Sequence, residues 1–94
     1  MIYIKSDKEI ELMRKPCAIV RDVLNLCEEK IKVGMTTREL DKIAHDYIVS
    51  CGAKPSFLGY GGFPAATCIS IDEVVVHGFP SDRIIEEDMI VSVD

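Results

Sequence analysis

Apolar residues recur every three or four positions in the first half of the chain and nearly alternate in the second. Ser6 with Glu9 three residues on is a capping box, the reciprocal pair that satisfies free N–H groups at a helix start. After it Ile10, Met13, Cys17, Val20, Leu24, Cys27 and Ile31 form one stripe of a long amphipathic helix. Pro16 lies inside that stripe. It removes a helix hydrogen bond and crowds the preceding turn, which predicts a kink or break near Lys15. Gly34 suits the helix end. Thr36 and Glu39 make a second capping box, and Leu40, Ile43, Ala44, Tyr47, Ile48 and Cys51 mark one face of a second helix that Gly52 ends.

From Lys54 the period changes. Gly59, Gly61, Gly62 and Pro64 make a turn region. Thr67 to Ile71 reads as a strand, Asp72 and Glu73 as a turn, and Val74 to His77 as a second short strand. Ser81 to Asp88 is a charged connection. Met89 to Asp94 alternates, with Met89, Val91 and Val93 on one face and Ile90, Ser92 and Asp94 on the other. Two helices followed by three or more strands is an α+β pattern. No internal repeat is visible.

Composition narrows the class. Ninety-four residues, 48% of them hydrophobic and 29% charged, make one domain or part of one. A net charge of −5 argues against a nucleic-acid or anionic-membrane surface. No apolar run is long enough for a signal peptide or a membrane span, so a cytoplasmic chain is expected. Cys17, Cys27, Cys51 and Cys68 are widely spaced, with no C-x-x-C, which supports neither a disulfide framework nor a zinc knuckle. The first three read as small core hydrophobes. His45 lies off the apolar stripe and reads as solvated, with no partner for chemistry.

Three places could carry chemistry. Asp94 extends the face that grows more polar along its strand; it is either a carboxylate lining a cavity, able to bind metal, or a strand-end Asp entering a turn. His77 follows three valines and precedes Gly78-Phe79-Pro80. It either sits at a pocket rim, where imidazole can ligate, donate or shuttle a proton, or is a core histidine satisfied by backbone. Phe57, Tyr60 and Phe63 flank the glycine loop and Cys68 follows. They wall either a pocket for an unbranched apolar side chain or a small satellite core. A catalytic zinc centre needs three protein ligands, and H-E-x-x-H, G-x-S-x-G and a phosphate-binding glycine loop are all missing. Read this way, the residues define half of a pocket.

The stretches KSDKEIELMRKPCAIV, GMTTRELDKIAHDYI, PSFLGYGGFPAATCISIDEVVVHGFP and MIVSVD, and above all Cys68 to Pro80, resemble the N-terminal part of the bacterial type I methionine aminopeptidases. The resemblance implies a pita-bread fold, of which residues 1–94 would be the N-terminal half with the C-terminal half absent. It implies removal of the initiator methionine from nascent chains near the ribosome, using two adjacent divalent ions (cobalt, manganese, iron or zinc). Such a pair acidifies a bridging water and polarises the scissile carbonyl. By the same resemblance Asp94 matches the first metal-binding Asp. His77 matches a histidine that contacts substrate without ligating metal, and Tyr60, Phe63 and Cys68 line the methionine pocket. Gly61 stands where many relatives carry His, Phe57 where Cys is common, and Pro16 where an ordinary helix residue is found.

The family's other ligands, an Asp, a His and two Glu, would lie beyond Asp94. The 94 residues alone are therefore expected to hold no metal stably, to be inactive and to self-associate, with no nucleic-acid or membrane partner. The alternative is a non-enzymatic half that binds peptides or a partner. A prolidase-like relative is disfavoured by the Cys68–Pro80 match.

Overall fold

The computed structural model describes all of residues 1–94. Helix α1 (Asp7–Lys30) and helix α2 (Thr37–Ser50) pack against each other, and strands β1 (Ile69–Ile71) and β2 (Val91–Val93) pair antiparallel beside them. The expected α+β arrangement of two helices on antiparallel strands is present, with two strands rather than three or more. A single 3₁₀ turn (Tyr60–Gly62) interrupts the long connection between α2 and β1.

The helix starts follow the caps. Ser6 Oγ accepts from the Glu9 N–H while Glu9 Oε1 accepts from the Ser6 N–H. The Ser6 backbone N–H, and after it the Ser6 hydroxyl, hold the Glu9 carboxyl below its usual range. At α2 only one half of the box is made, with Thr36 Oγ1 accepting from the Glu39 N–H. The break expected near Lys15 does not occur, and α1 runs through Pro16. The carbonyl that loses its partner there belongs to Leu12, on an exposed turn (68% exposed) where water can replace the missing N–H.

The core takes only the C-terminal end of the expected stripe, Cys27 and Ile31, together with Ile19 and Val23 from outside it. Val23 and Cys27 are buried, with Ile19 and Ile31 partly so, whereas Ile10, Met13, Cys17, Val20 and Leu24 are exposed. Val23 and Cys27 meet Met35, Leu40, Ala44, Ile69 and Ile85 in one cluster, and Leu40 is completely enclosed. Of the three cysteines assigned to the core, Cys27 is buried, Cys51 half-buried and Cys17 exposed. Cys17 rides on the helix side that no other element covers. His45 is half-exposed, as solvation predicts, but its Nδ1 lies 3.1 Å from Asp46 Oδ1, so it does have a partner.

Residues 81–85 are fastened across the start of α2. The Ser81 N–H donates to Thr37 Oγ1 (2.8 Å), the Arg38 N–H to the Ser81 carbonyl (2.9 Å), and the Ile85 N–H to the Met35 carbonyl (2.8 Å). Arg38 and Asp82 add a surface ion pair. One turn further along α2, Asp41 Oδ1 accepts from both the N–H (2.8 Å) and the hydroxyl (2.6 Å) of Thr67, which sets the chain entering β1 against the helix. These bonds fix the ends of the sheet on which the candidate site is built.

Candidate functional site around strand β1

β1 is bonded on both edges, and a different candidate residue is brought to each. On the β2 side the register pairs Ile69 with Val93, Ser70 with Ser92 and Ile71 with Val91. One step further, the Cys68 N–H donates to the Asp94 carbonyl (2.8 Å) and the Asp94 N–H to the Cys68 carbonyl (2.9 Å). Residues directly opposite in an antiparallel pair point to the same face. Asp94 is exposed and Cys68 is buried at 3% exposure. Burial pushes the Cys68 thiol up from its ordinary value, and the negative Asp94 carboxylate pushes it the same way. The expected alternation of β2 holds: Val91 and Val93 are half-buried, Ser92 and Asp94 exposed.

The other edge corrects the expected strand from Val74 to His77. The Val74 N–H donates to the Ile71 carbonyl, closing a tight turn. A regular hairpin from that turn would bring Val76 opposite Ile69. Instead the Ile69 N–H donates to the Gly78 carbonyl at 2.9 Å, and the Gly78 N–H donates to Ser70 Oγ at 3.1 Å. Two extra residues are looped out, and these are Val76 (φ 37) and His77 (φ 50), both in the left-handed region. A β-branched valine there is strained, and bulges of this kind re-aim side chains beside functional sites. Val75 and Val76 remain exposed and His77 with them, so His77 does not end a buried run. The bulge is held by Gly78. A Cβ there would collide with the Ile69 carbonyl oxygen and stand 2.9 Å from its carbon.

Of the aromatic candidates, Phe63 is half-buried between two other rings. Its centroid is 6.0 Å from Phe57 with the planes at 67°, and 5.1 Å from Phe79 with the planes at 83°, both edge-to-face. Tyr60 is not brought in; it is 81% exposed on its turn. Gly61 takes φ 57 with open space where a Cβ would be, a conformation that histidine also adopts. Phe79 was missed by the sequence reading, although its place two residues after His77 on a Gly-Phe-Pro turn was a signal. Asp41 was missed too, and a lone acid on an amphipathic helix gives none.

Asp94 also stands at one end of an apolar groove of ≈ 290 Å³ bordered by Val20 and Leu24 of α1, by Pro55 and Phe57, and by Val93. No three of the His, Cys, Asp and Glu side chains converge as a metal-binding group. The donors in these residues therefore do not make a metal centre by themselves: Asp94 is a single carboxylate whose cross-strand neighbour is a protonated thiol.

The profile of metallopeptidase family M24 matches residues 11–94, and the chain belongs to that family. It is 53% identical over its whole length to a methionine aminopeptidase of Clostridium acetobutylicum and 47% identical, over 99% of its length, to one of Haemophilus influenzae. Among solved structures it superposes on methionine aminopeptidase from Rickettsia prowazekii with a TM-score of 0.95 at 35% identity, and on that from Thermotoga maritima with 0.92 at 38%. The match covers 100% and 99% of this chain respectively, and 38% of each solved chain. The chain likewise spans 38% of the Clostridium relative and 35% of the Haemophilus one.

Proposed function

We propose that residues 1–94 are the N-terminal half of the catalytic domain of a methionine aminopeptidase, which removes the initiator methionine from nascent chains in the cytoplasm. The observation that carries the reading is the arrangement about β1, with the Asp94 carboxylate on one edge and the His77 bulge on the other. In this reading Asp94 is one ligand of a pair of divalent ions (cobalt, manganese, iron or zinc), and the rest of the ligand set comes from outside these residues. His77 contacts the substrate near the scissile peptide and takes no part in metal binding. Phe63 and Cys68 border the methionine side chain, with Tyr60 at the mouth, where its exposure suits a rim better than a wall. No helix is long and apolar enough to cross a membrane.

The test is methionine release from a Met-Ala-Ser peptide by the full gene product carrying these residues, with and without divalent metal. Turnover that requires metal and is lost in Asp94→Asn supports the reading. A reading frame that stops after codon 94, with a chain that binds Met-Ala-Ser but does not cleave it, supports instead a stand-alone peptide-binding half. The apolar groove beside Asp94 favours that second reading.

A further inference from the structure

We propose that Phe79 is a positioning residue for the aromatic wall, and that it determines how well the site separates methionine from branched side chains by holding the Phe63 ring. The proposal rests on the reading of Phe63 as a wall of the methionine pocket. Phe63 is the middle ring of three, and the ring nearer to it is Phe79, at 5.1 Å and almost perpendicular. The other contact, with Phe57, is looser at 6.0 Å. Edge-to-face pairs at these separations are attractive and directional, so each neighbour restrains the plane of Phe63 as well as its position.

Phe79 can do this because the residue before it is anchored to β1. Gly78 is bonded in both directions to β1, through the Ile69 N–H and Ser70 Oγ, and has no room for a side chain. Phe79 is therefore delivered from the same fixed point as His77, one residue to either side of Gly78. The group that contacts the reacting peptide and the ring that braces the side-chain wall share one anchor on β1. Phe79 is itself 63% exposed. Its ring is not needed to fill the main core, which contains neither Phe63 nor Phe79. Within these residues the aromatic partner of Phe79 is the candidate wall residue Phe63.

The distinction from a merely structural role lies in selectivity. A flat ring held edge-on presents a fixed surface past which an unbranched thioether can slide. A ring free to turn admits a branched side chain as well. Loss of the brace should lower the ratio of kcat/KM for matched Met and Leu peptides, with the Leu value rising or holding while the Met value falls.

The experiment measures that ratio in the full gene product for Phe79→Leu, Phe79→Tyr, Phe63→Leu and the Phe79→Leu/Phe63→Leu double variant, with a thermal melt of each. Phe79→Leu keeps an apolar side chain and removes the ring; it should reduce the Met/Leu ratio roughly two- to tenfold, the range set by one edge-to-face contact. Phe79→Tyr keeps the ring and should retain the ratio. The double variant should be no less selective than Phe63→Leu alone, because Phe79 acts through Phe63. If Phe63→Leu shifts the ratio but Phe79→Leu does not, or the two effects multiply, the bracing role is wrong and the pocket reading stands. If Phe63→Leu itself leaves the ratio unchanged, the pocket reading fails and the role of Phe79 fails with it.

Discussion

Cys68 and Asp94 face each other across the last rung of the β1–β2 ladder and exchange both backbone hydrogen bonds, one buried thiol beside one exposed carboxylate. The thiol holds its proton to higher pH in the folded chain than the ordinary cysteine value of 9.0, first because it is buried and second because Asp94 is negative. The folded state thus binds more protons than the unfolded one at alkaline pH. The resulting stabilisation is complete below the unfolded value and is lost as pH rises through the folded one. Following the Cys68 ¹³Cβ shift against pH should give a midpoint above 9.0 that moves down in Asp94→Asn yet stays raised. An unmoved midpoint would show that the carboxylate does not act on the thiol.

His77 and Asp94 lie on opposite edges of the same strand and should fail differently. In the full gene product His77→Ala should lower kcat by about 10²–10³, the usual loss when a group that stabilises developing charge is removed, with metal content intact. Asp94→Asn should lose metal. Calorimetric metal titration beside turnover separates them, and the reverse pattern would exchange the two roles.

Gly78→Ala should disturb the bulge before it disturbs the core. The added methyl meets the Ile69 carbonyl, so the Ile69–Gly78 bond must lengthen or break. Amide exchange at Ile69 should accelerate while that of Leu40 is little changed. Equal acceleration at both would mean that the bulge and core open together.

Leu40→Ala should lower stability by about 2–5 kcal/mol, since it empties the one completely enclosed side chain. Leu12→Ala, at a position 68% exposed, should change it by less than about 0.5 kcal/mol. Denaturant unfolding of the two variants reads the contrast directly.

The 94-residue chain by itself should release no methionine from Met-Ala-Ser with any of the four metals, and it should associate with itself. Its α1 leaves Val20 (57%) and Leu24 (42%) exposed along the groove. Sedimentation should report association that Leu24→Lys reduces. A monomer over a wide concentration range, or turnover above a metal-only control, would contradict these expectations.

How much of this was legible in the sequence varied with the kind of signal. Ser6, Thr36 and their Glu partners are local, and both helix starts lie where those residues put them. The α1 stripe was real as a pattern but did not say which apolar residues would find a partner; α2 covers Val23 and Cys27 and leaves Val20 and Leu24 open. Three consecutive valines favour a strand, yet the pairing of Ile69 with Gly78 overrides that preference, and no periodicity encodes a two-residue loop-out. Phe63 was legible as an aromatic beside glycines. Its brace, Phe79, lies across a turn and a strand, where spacing along the chain says nothing of distance.

The fastening of residues 81–85 across the start of α2 has a kinetic consequence. The Thr37–Ser81 bonds join positions 44 apart, and β1 cannot meet β2 until the chain between them has looped back. Both helices, by contrast, are made of contacts a few residues long, which form in microseconds or less. Closure of that long loop is expected to come after helix formation, because its entropy is lost before the contacts it makes repay it. During synthesis the two helices would be complete and waiting, their shared apolar face uncovered, until Ile85 and β2 arrive to close over it.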